Sequence, residues 1–213
     1  MKSSTPKEKM LKKIRKALIE KKEMPFQKYE EGEVFPVLTE NLELIFAEEF
    51  TKVAGQFIFC EDEIQFIENI LSLAEQKKWK QIYCWEPVLQ AILAKYDYPY
   101  IGSETGFITA DVGITLCDGL VARTGSILIH SATHAGRRLS IYPNNHIVLA
   151  YTSQIFPDMK QALADLRSKS GDKIPSLYTA ITGPSRTADI EKTLVLGAHG
   201  PKELFLFLID DRN

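Results

Sequence analysis

Between Ile181 and Asp210 the chain reads ITGPSRTADIEKTLVLGAHGPKELFLFLID, and this stretch concentrates side chains able to hold an anion. Thr182, Gly183, Ser185, Arg186 and Thr187 lie within six residues. A strand ending at Thr182 and a Gly183-Pro184 turn would bring Ser185, Arg186 and Thr187 to a helix start. Free amide N–H groups and the helix dipole favour an anion there. Arg186 could grip a carboxylate or phosphate with two parallel hydrogen bonds. The same spacing also fits a plain capped helix, with Ser185 or Thr187 as cap and Asp189 and Glu191 in the first turn. His199, in a Gly-Ala-His-Gly-Pro turn, reads either as a loop-holding residue or as a general acid/base beside Ser185–Thr187.

Two more clusters carry chemistry. Arg123, Thr124, Gly125 and Ser126 form one, with Asp118 five residues before Arg123 as a candidate for the same pocket. The other runs from His130 through His134, Arg137 and Arg138 to His146. Its histidines are four and twelve residues apart with no acid nearby, a poor spacing for a metal. Arg137 and Arg138 read as a basic, Gly-hinged loop that recruits an anion, or as a solvated turn. His146 opens an apolar run and reads as the cap of a strand.

These residues need a scaffold, and the periodicity supplies one. QFIFC at 56–60 and HIVLAY at 146–151 read as buried strands, and QIYCW at 81–85, Leu177–Thr182 and Glu203–Ile209 as further strands. Leu42, Ile45, Phe46 and Val53 fit a helix opening at Thr39. Asp62 caps a second helix, Pro87 starts a third, and Pro157-Asp158 a fourth that stops before Gly171. Short apolar strands alternating with helices predict an α/β fold with a mostly parallel sheet covered on both faces. Val112–Leu116 and Ser126–Ser131 are close enough to predict a hairpin-like excursion.

The chain has 213 residues, enough for one sizeable core, and is 45% hydrophobic and 25% charged. Residues 1–22 hold nine basic and two acidic residues, while the remainder holds 17 basic and 26 acidic. Leu11, Ile14 and Leu18 recur there at helical spacing, giving a basic amphipathic helix. With no aromatic residue to stack or insert, it points away from nucleic acid and membrane insertion; it reads as an ordinary helix with a solvated basic face, or as an arm that docks on an acidic partner, on its own body or on a second copy in a homo-oligomer. Pro25, Gly32 and Pro36 make 23–38 a connector, so the expected division is an appendage at 1–38 and a body at 39–213. Cys60, Cys84 and Cys117 are odd in number and scattered, so no zinc or iron–sulfur ligand set is expected in this chain. No apolar run reaches membrane-spanning length, and the charged N-terminus lacks a signal-peptide core, so a cytoplasmic location is expected.

TGPSRTADIE, LVLGAHGP and the apolar strand ending in Asp resemble the C-terminal signature of the LUD-domain family, the lactate utilisation protein C group. DVGIT at 111–115, Thr124-Gly125-Ser126, RLSIYP at 138–143, HIV at 146–148 and IRKAL at 14–18 are similar to further family blocks, in family order. One position departs: Arg123 stands where the family usually has a glutamate before Thr-Gly. The resemblance implies an isomerase/CoA-transferase-like fold, the group of ribose-5-phosphate isomerase, glucosamine-6-phosphate deaminase and the CoA transferases. Such folds take ligands at the carboxyl ends of strands. The nucleophile of those transferases is a glutamate, and Arg123 cannot form its acyl intermediate. The resemblance further implies a part in oxidising L-lactate to pyruvate. The partners would be a small anionic metabolite and the cysteine-rich lactate utilisation proteins A and B, which carry the iron–sulfur clusters. The chain would bind the anion or organise the complex. A stand-alone sugar-phosphate or acyl-transfer enzyme and a purely structural subunit stay open as alternatives.

Overall fold

The structure, a computed structural model, describes residues 5–19, 36–38, 41–133, 135, 138–171, 175–190 and 193–212. They fall into two compact units, Met1–Val37 and Leu38–Asn213. In the first, helix α1 runs Pro6–Ile19 with every residue exposed. Thr5 and Glu8 cap it reciprocally: the Glu8 N–H donates to the Thr5 hydroxyl, and the Thr5 N–H to the Glu8 carboxylate.

In the second unit, α2 (Leu42–Lys52) leads into strand β1 (Gln56–Cys60). Helix α3 (Glu63–Lys77) follows, capped as the sequence predicts by the Asp62 carboxylate accepting from the Gln65 N–H. Strand β2 (Ile82–Cys84) precedes α4 (Pro87–Lys95), whose first position is proline, and β3 (Val112–Leu116) comes next. The chain continues through β4 (Gly119–Val121), β5 (Ser126–His130), β6 (Asn145–Tyr151), β7 (Ile155–Phe156) and α5 (Met159–Ser170). It closes with β8 (Tyr178–Ile181), β9 (Arg186–Ile190), β10 (Thr193–Leu196) and β11 (Glu203–Ile209).

The fold is α/β. The central sheet has the order β1-β11-β6-β3-β2, with every neighbour parallel. β11 shows why it is apolar throughout. Phe205, Phe207 and Ile209 face α3 and α4, packing with Phe66, Ile70, Leu89 and Leu93. Leu204, Leu206 and Leu208 face the other way, with Phe46 and Phe50 of α2 and Leu120 and Ile127 of a second sheet. A strand buried on both faces cannot alternate with polar residues.

That second sheet, β7-β4-β5-β8, departs from the expected hairpin. Val112–Leu116 does not pair with Ser126–His130. It joins the central sheet between β2 and β6, while β5 pairs with β4 and β8. The hairpin partner is the three-residue β4, whose Gly119 makes it a weak strand signal. The outer face of this sheet is covered by α5 through Val121, Leu128, Ala162 and Leu166. One face of the central sheet is therefore covered by helices, and the other by α2 and a sheet. The opening residue Thr39 and most of the 23–38 connector lie outside the described residues.

Candidate functional site

The TGPS block does not open a helix. Gly183, at φ 83°, turns the chain, and β9 follows, paired antiparallel with β10. Two causes favour the strand. Thr187, Ile190, Thr193 and Val195 are β-branched. In addition, the Ser185 N–H donates to the Pro201 carbonyl and the Ser185 carbonyl accepts from the Gly197 N–H, so its backbone is committed across the chain. Those two bonds hold the His199 turn beside Ser185; Glu191 lies outside the described residues.

A cavity of about 230 Å³ opens between these blocks. Thr182, Gly183, Ser185 and His199 line it, with Ser140 and His146 deeper in. None of its described lining residues is Lys, Arg, Asp or Glu. It lies at the amino ends of β6 and β11, where His146 and Leu204 sit opposite each other in register. The RTGS block joins it through hydroxyls: Thr124 and Ser126 are 2.8 Å apart, and Ser126 and Thr182 2.7 Å apart.

Two glycines explain how the blocks come so close. A Cβ at Gly125, whose φ is 57°, would stand 2.3 Å from the Phe50 backbone nitrogen. One at Gly183 would stand 2.3 Å from the Val53 carbonyl oxygen. Both motifs therefore press against the last turn of α2. Arg186 reinforces this contact, its guanidinium donating to the Val53 carbonyl at 2.9 Å.

His146 is completely buried, and burial alone pulls its imidazole down to about 3, so it is neutral at physiological pH. Its Nε2 lies 2.9 Å from the Thr115 hydroxyl on the neighbouring strand. Its Nδ1 has no hydrogen-bond partner.

A second cluster sits at the opposite, carboxyl end of the sheet. Asp118 follows β3, and its carboxylate lies 2.7 Å from the Nδ1 of His130, at the end of β5. Tyr178 stacks on that imidazole at 6.3 Å. Glu86 follows β2 and is 4% exposed. It occupies the position where a cap of α4 would sit but does not cap; it accepts from the Leu116 N–H instead. Burial, with Asp118 adding to it, pushes its carboxyl up to about 7, against the pull of the Leu116 N–H and His130.

The structure thus gathers Thr182, Gly183, Ser185 and His199 around one cavity and ties Thr124 and Ser126 to it. Asp118 belongs to the carboxyl-edge cluster with His130. Thr187 pairs with Val195 in the hairpin. Arg123 lies in the turn before Gly125, its N–H donating to the Pro157 carbonyl. Arg138 lies 2.6 Å from Glu104 and over the rings of Trp85 and Phe107. Arg137 lies outside the described residues. Sequence reasoning missed Glu86; an acid between a strand and a proline-led helix was its signal. It also read His146 as a cap. That histidine's buried contact is with a residue 31 positions away.

The model of the LUD domain matches residues 44–209. Lactate utilization protein C of Bacillus licheniformis is 38% identical over 105 residues, 48% of this chain and 44% of the relative. The protein of that name from Bacillus subtilis is 39% identical over the same shares. That from Geobacillus kaustophilus is 31% identical over 166 residues, 74% of this chain and 64% of the relative. The chain thus spans less than half the length of the first two relatives. The crystal structure of a DUF162 family protein from Deinococcus radiodurans is similar in fold, with a TM-score of 0.56 at 17% identity. That likeness covers 79% of this chain and 96% of the other. With one domain model spanning the sheet, both motif blocks and the cavity, the chain belongs to the LUD domain family.

Proposed function

We propose that this protein serves lactate utilisation as a subunit that holds a small metabolite, acting with cysteine-rich partners that carry iron–sulfur clusters. The observation that carries the reading is the match to proteins named lactate utilization protein C, over as much as 74% of the chain. The cavity supports it in scale. At water's share of liquid volume, about 230 Å³ holds roughly seven waters, room for a three-carbon acid. Cys60, Cys84 and Cys117 are buried free thiols far apart in the sequence, and this reading gives electron transfer to the partners. Among the described residues no helix is long and apolar enough to cross a membrane.

Deleting the chain from its host should abolish growth on L-lactate as sole carbon source while sparing growth on pyruvate. The wild-type chain supplied in trans should restore it. Unimpaired growth of the deletion strain on L-lactate would refute the role.

A further inference from the structure

The Nδ1 of His146 is a polar atom in a fully buried residue that lines the cavity, and it has no partner. An unmade hydrogen bond in such a place is costly, and each one in a native structure calls for a cause. The ring's other nitrogen is already committed to Thr115, itself fully buried. Two tautomers are open to a neutral imidazole. If Nε2–H donated to Thr115, the threonine hydrogen and the Nδ1 lone pair would both be left unsatisfied. If the Thr115 hydroxyl donates to Nε2, one group remains unsatisfied, the Nδ1–H donor. The second arrangement costs less.

We propose that His146 is the ligand-recognising residue of this cavity. In this arrangement its Nδ1–H donates to the carbonyl or hydroxyl oxygen of a small oxo or hydroxy acid. The proposal rests on the metabolite-holding role argued above and deepens it by naming the contact. Sequence and packing built the socket around this atom. Gly113 lies next to His146 in register, and a Cβ there would stand 2.5 Å from the Leu139 carbonyl. Its absence lets the 139–141 loop close over the strand end, bringing Ser140 and Ile141 to the cavity wall. On the other side Gly200 packs on Ser185, where a Cβ would stand 3.1 Å from the serine Cβ. With no charged side chain among the described lining residues, the acceptor end of the ligand fits inside. An ionised end fits the open side, where the exposed His199 stands.

The test uses the full chain, with pyruvate and L-lactate as probes in calorimetric titrations. Two variants separate the nitrogens. His146→Asn places an amide near the Nδ1 position and keeps the donor. His146→Gln places one near Nε2, keeping the Thr115 contact and losing the donor. The expected result is that one or both probes bind the wild type, that His146→Asn binds within about threefold of it, and that His146→Gln loses tenfold or more. Thermal melts establish that both variants fold; should one fail to, the wild-type His146 Nδ1–H resonance with and without probe decides the matter. Equal binding by His146→Gln and wild type overturns the assignment, and so does a resonance that neither probe moves, which leaves a buried water as the partner. The two readings fail separately. Loss of binding in His146→Gln with unimpaired lactate growth of the deletion strain sinks the role and keeps the contact. Growth that needs the chain but not His146 does the reverse.

Discussion

Glu86 and His146 sit at opposite ends of the same parallel sheet, and burial acts on them with opposite sign. Both are nearly or wholly removed from water. A carboxyl loses its charge on burial by rising, here to about 7, and an imidazole by falling, here to about 3. Their surroundings differ more. Glu86 accepts from a backbone N–H and lies near the His130–Asp118 pair, so its site is one of satisfied polar groups. His146 has one hydroxyl partner and one nitrogen with none, in a cavity whose described lining carries no Lys, Arg, Asp or Glu. A site whose polar atoms satisfy one another can stand as structure. A site with an atom left over is shaped for something else.

The largest way to break the comparison is through the glycines that hold the cavity end against α2. Gly125→Ala or Gly183→Ala combines positive-φ strain with a clash against backbone that cannot rotate away. Each should cost about 3–4 kcal/mol in denaturant unfolding. A loss below about 1 kcal/mol would mean that the approach to α2 is loose.

Glu86 sharpens the carboxyl end. Its folded pKa lies above the unfolded value near 4.5, so its contribution is intact below pH 4.5 and is lost as pH rises through 7. Ionising it in place costs the fold about 3 kcal/mol. Glu86→Gln keeps an acceptor for the Leu116 N–H and removes the titration. Its stability relative to wild type should rise between pH 5 and 8, and a flat difference would show that Glu86 ionises freely.

His146 should give the mirror image. Its folded pKa lies below the unfolded 6.5, so its contribution is present above 6.5 and is lost as pH falls towards 3. By pH 5 the loss is about 2 kcal/mol. In His146→Gln the acid side of the stability curve should flatten by that amount, and an unchanged curve would place the proton elsewhere. The smallest effect is Arg186→Ala. An exposed guanidinium on the Val53 carbonyl is worth about 0.5–1.5 kcal/mol. If Arg186 instead binds an anion, the variant would lose affinity and keep its stability.

The comparison also shows which parts of the molecule a sequence exposes. β11 was legible because seven consecutive residues from Glu203 carry six apolar side chains, the pattern of a strand buried on both faces. The Asp62 cap was legible because capping is local. The second sheet was not: β4 has three residues and β7 has two, and their pairing is decided by partners far along the chain. The strand at Arg186 was misread because TADI suits a helix start as well as a hairpin, and only the bonds from Ser185 to Pro201 and Gly197 decide between them. Of the site, the TGPS, HGP and RTGS blocks were visible as separate motifs, but the hydroxyl contacts that tie Thr124 and Ser126 to Thr182 join residues 56 positions apart and were not. The roles of His146 and Glu86 were not, because burial is a property of the fold and not of their neighbours in sequence.

The most direct test of the account is the nitrogen-15 NMR of the histidine imidazoles in the full chain, recorded while pyruvate and then L-lactate are added. The account predicts that His146 titrates with at least one probe, as a neutral ring whose Nδ1–H moves to a hydrogen-bonded position, while His130 stays in place against Asp118. Movement of His130 with His146 unchanged would put the metabolite at the carboxyl edge and contradict it.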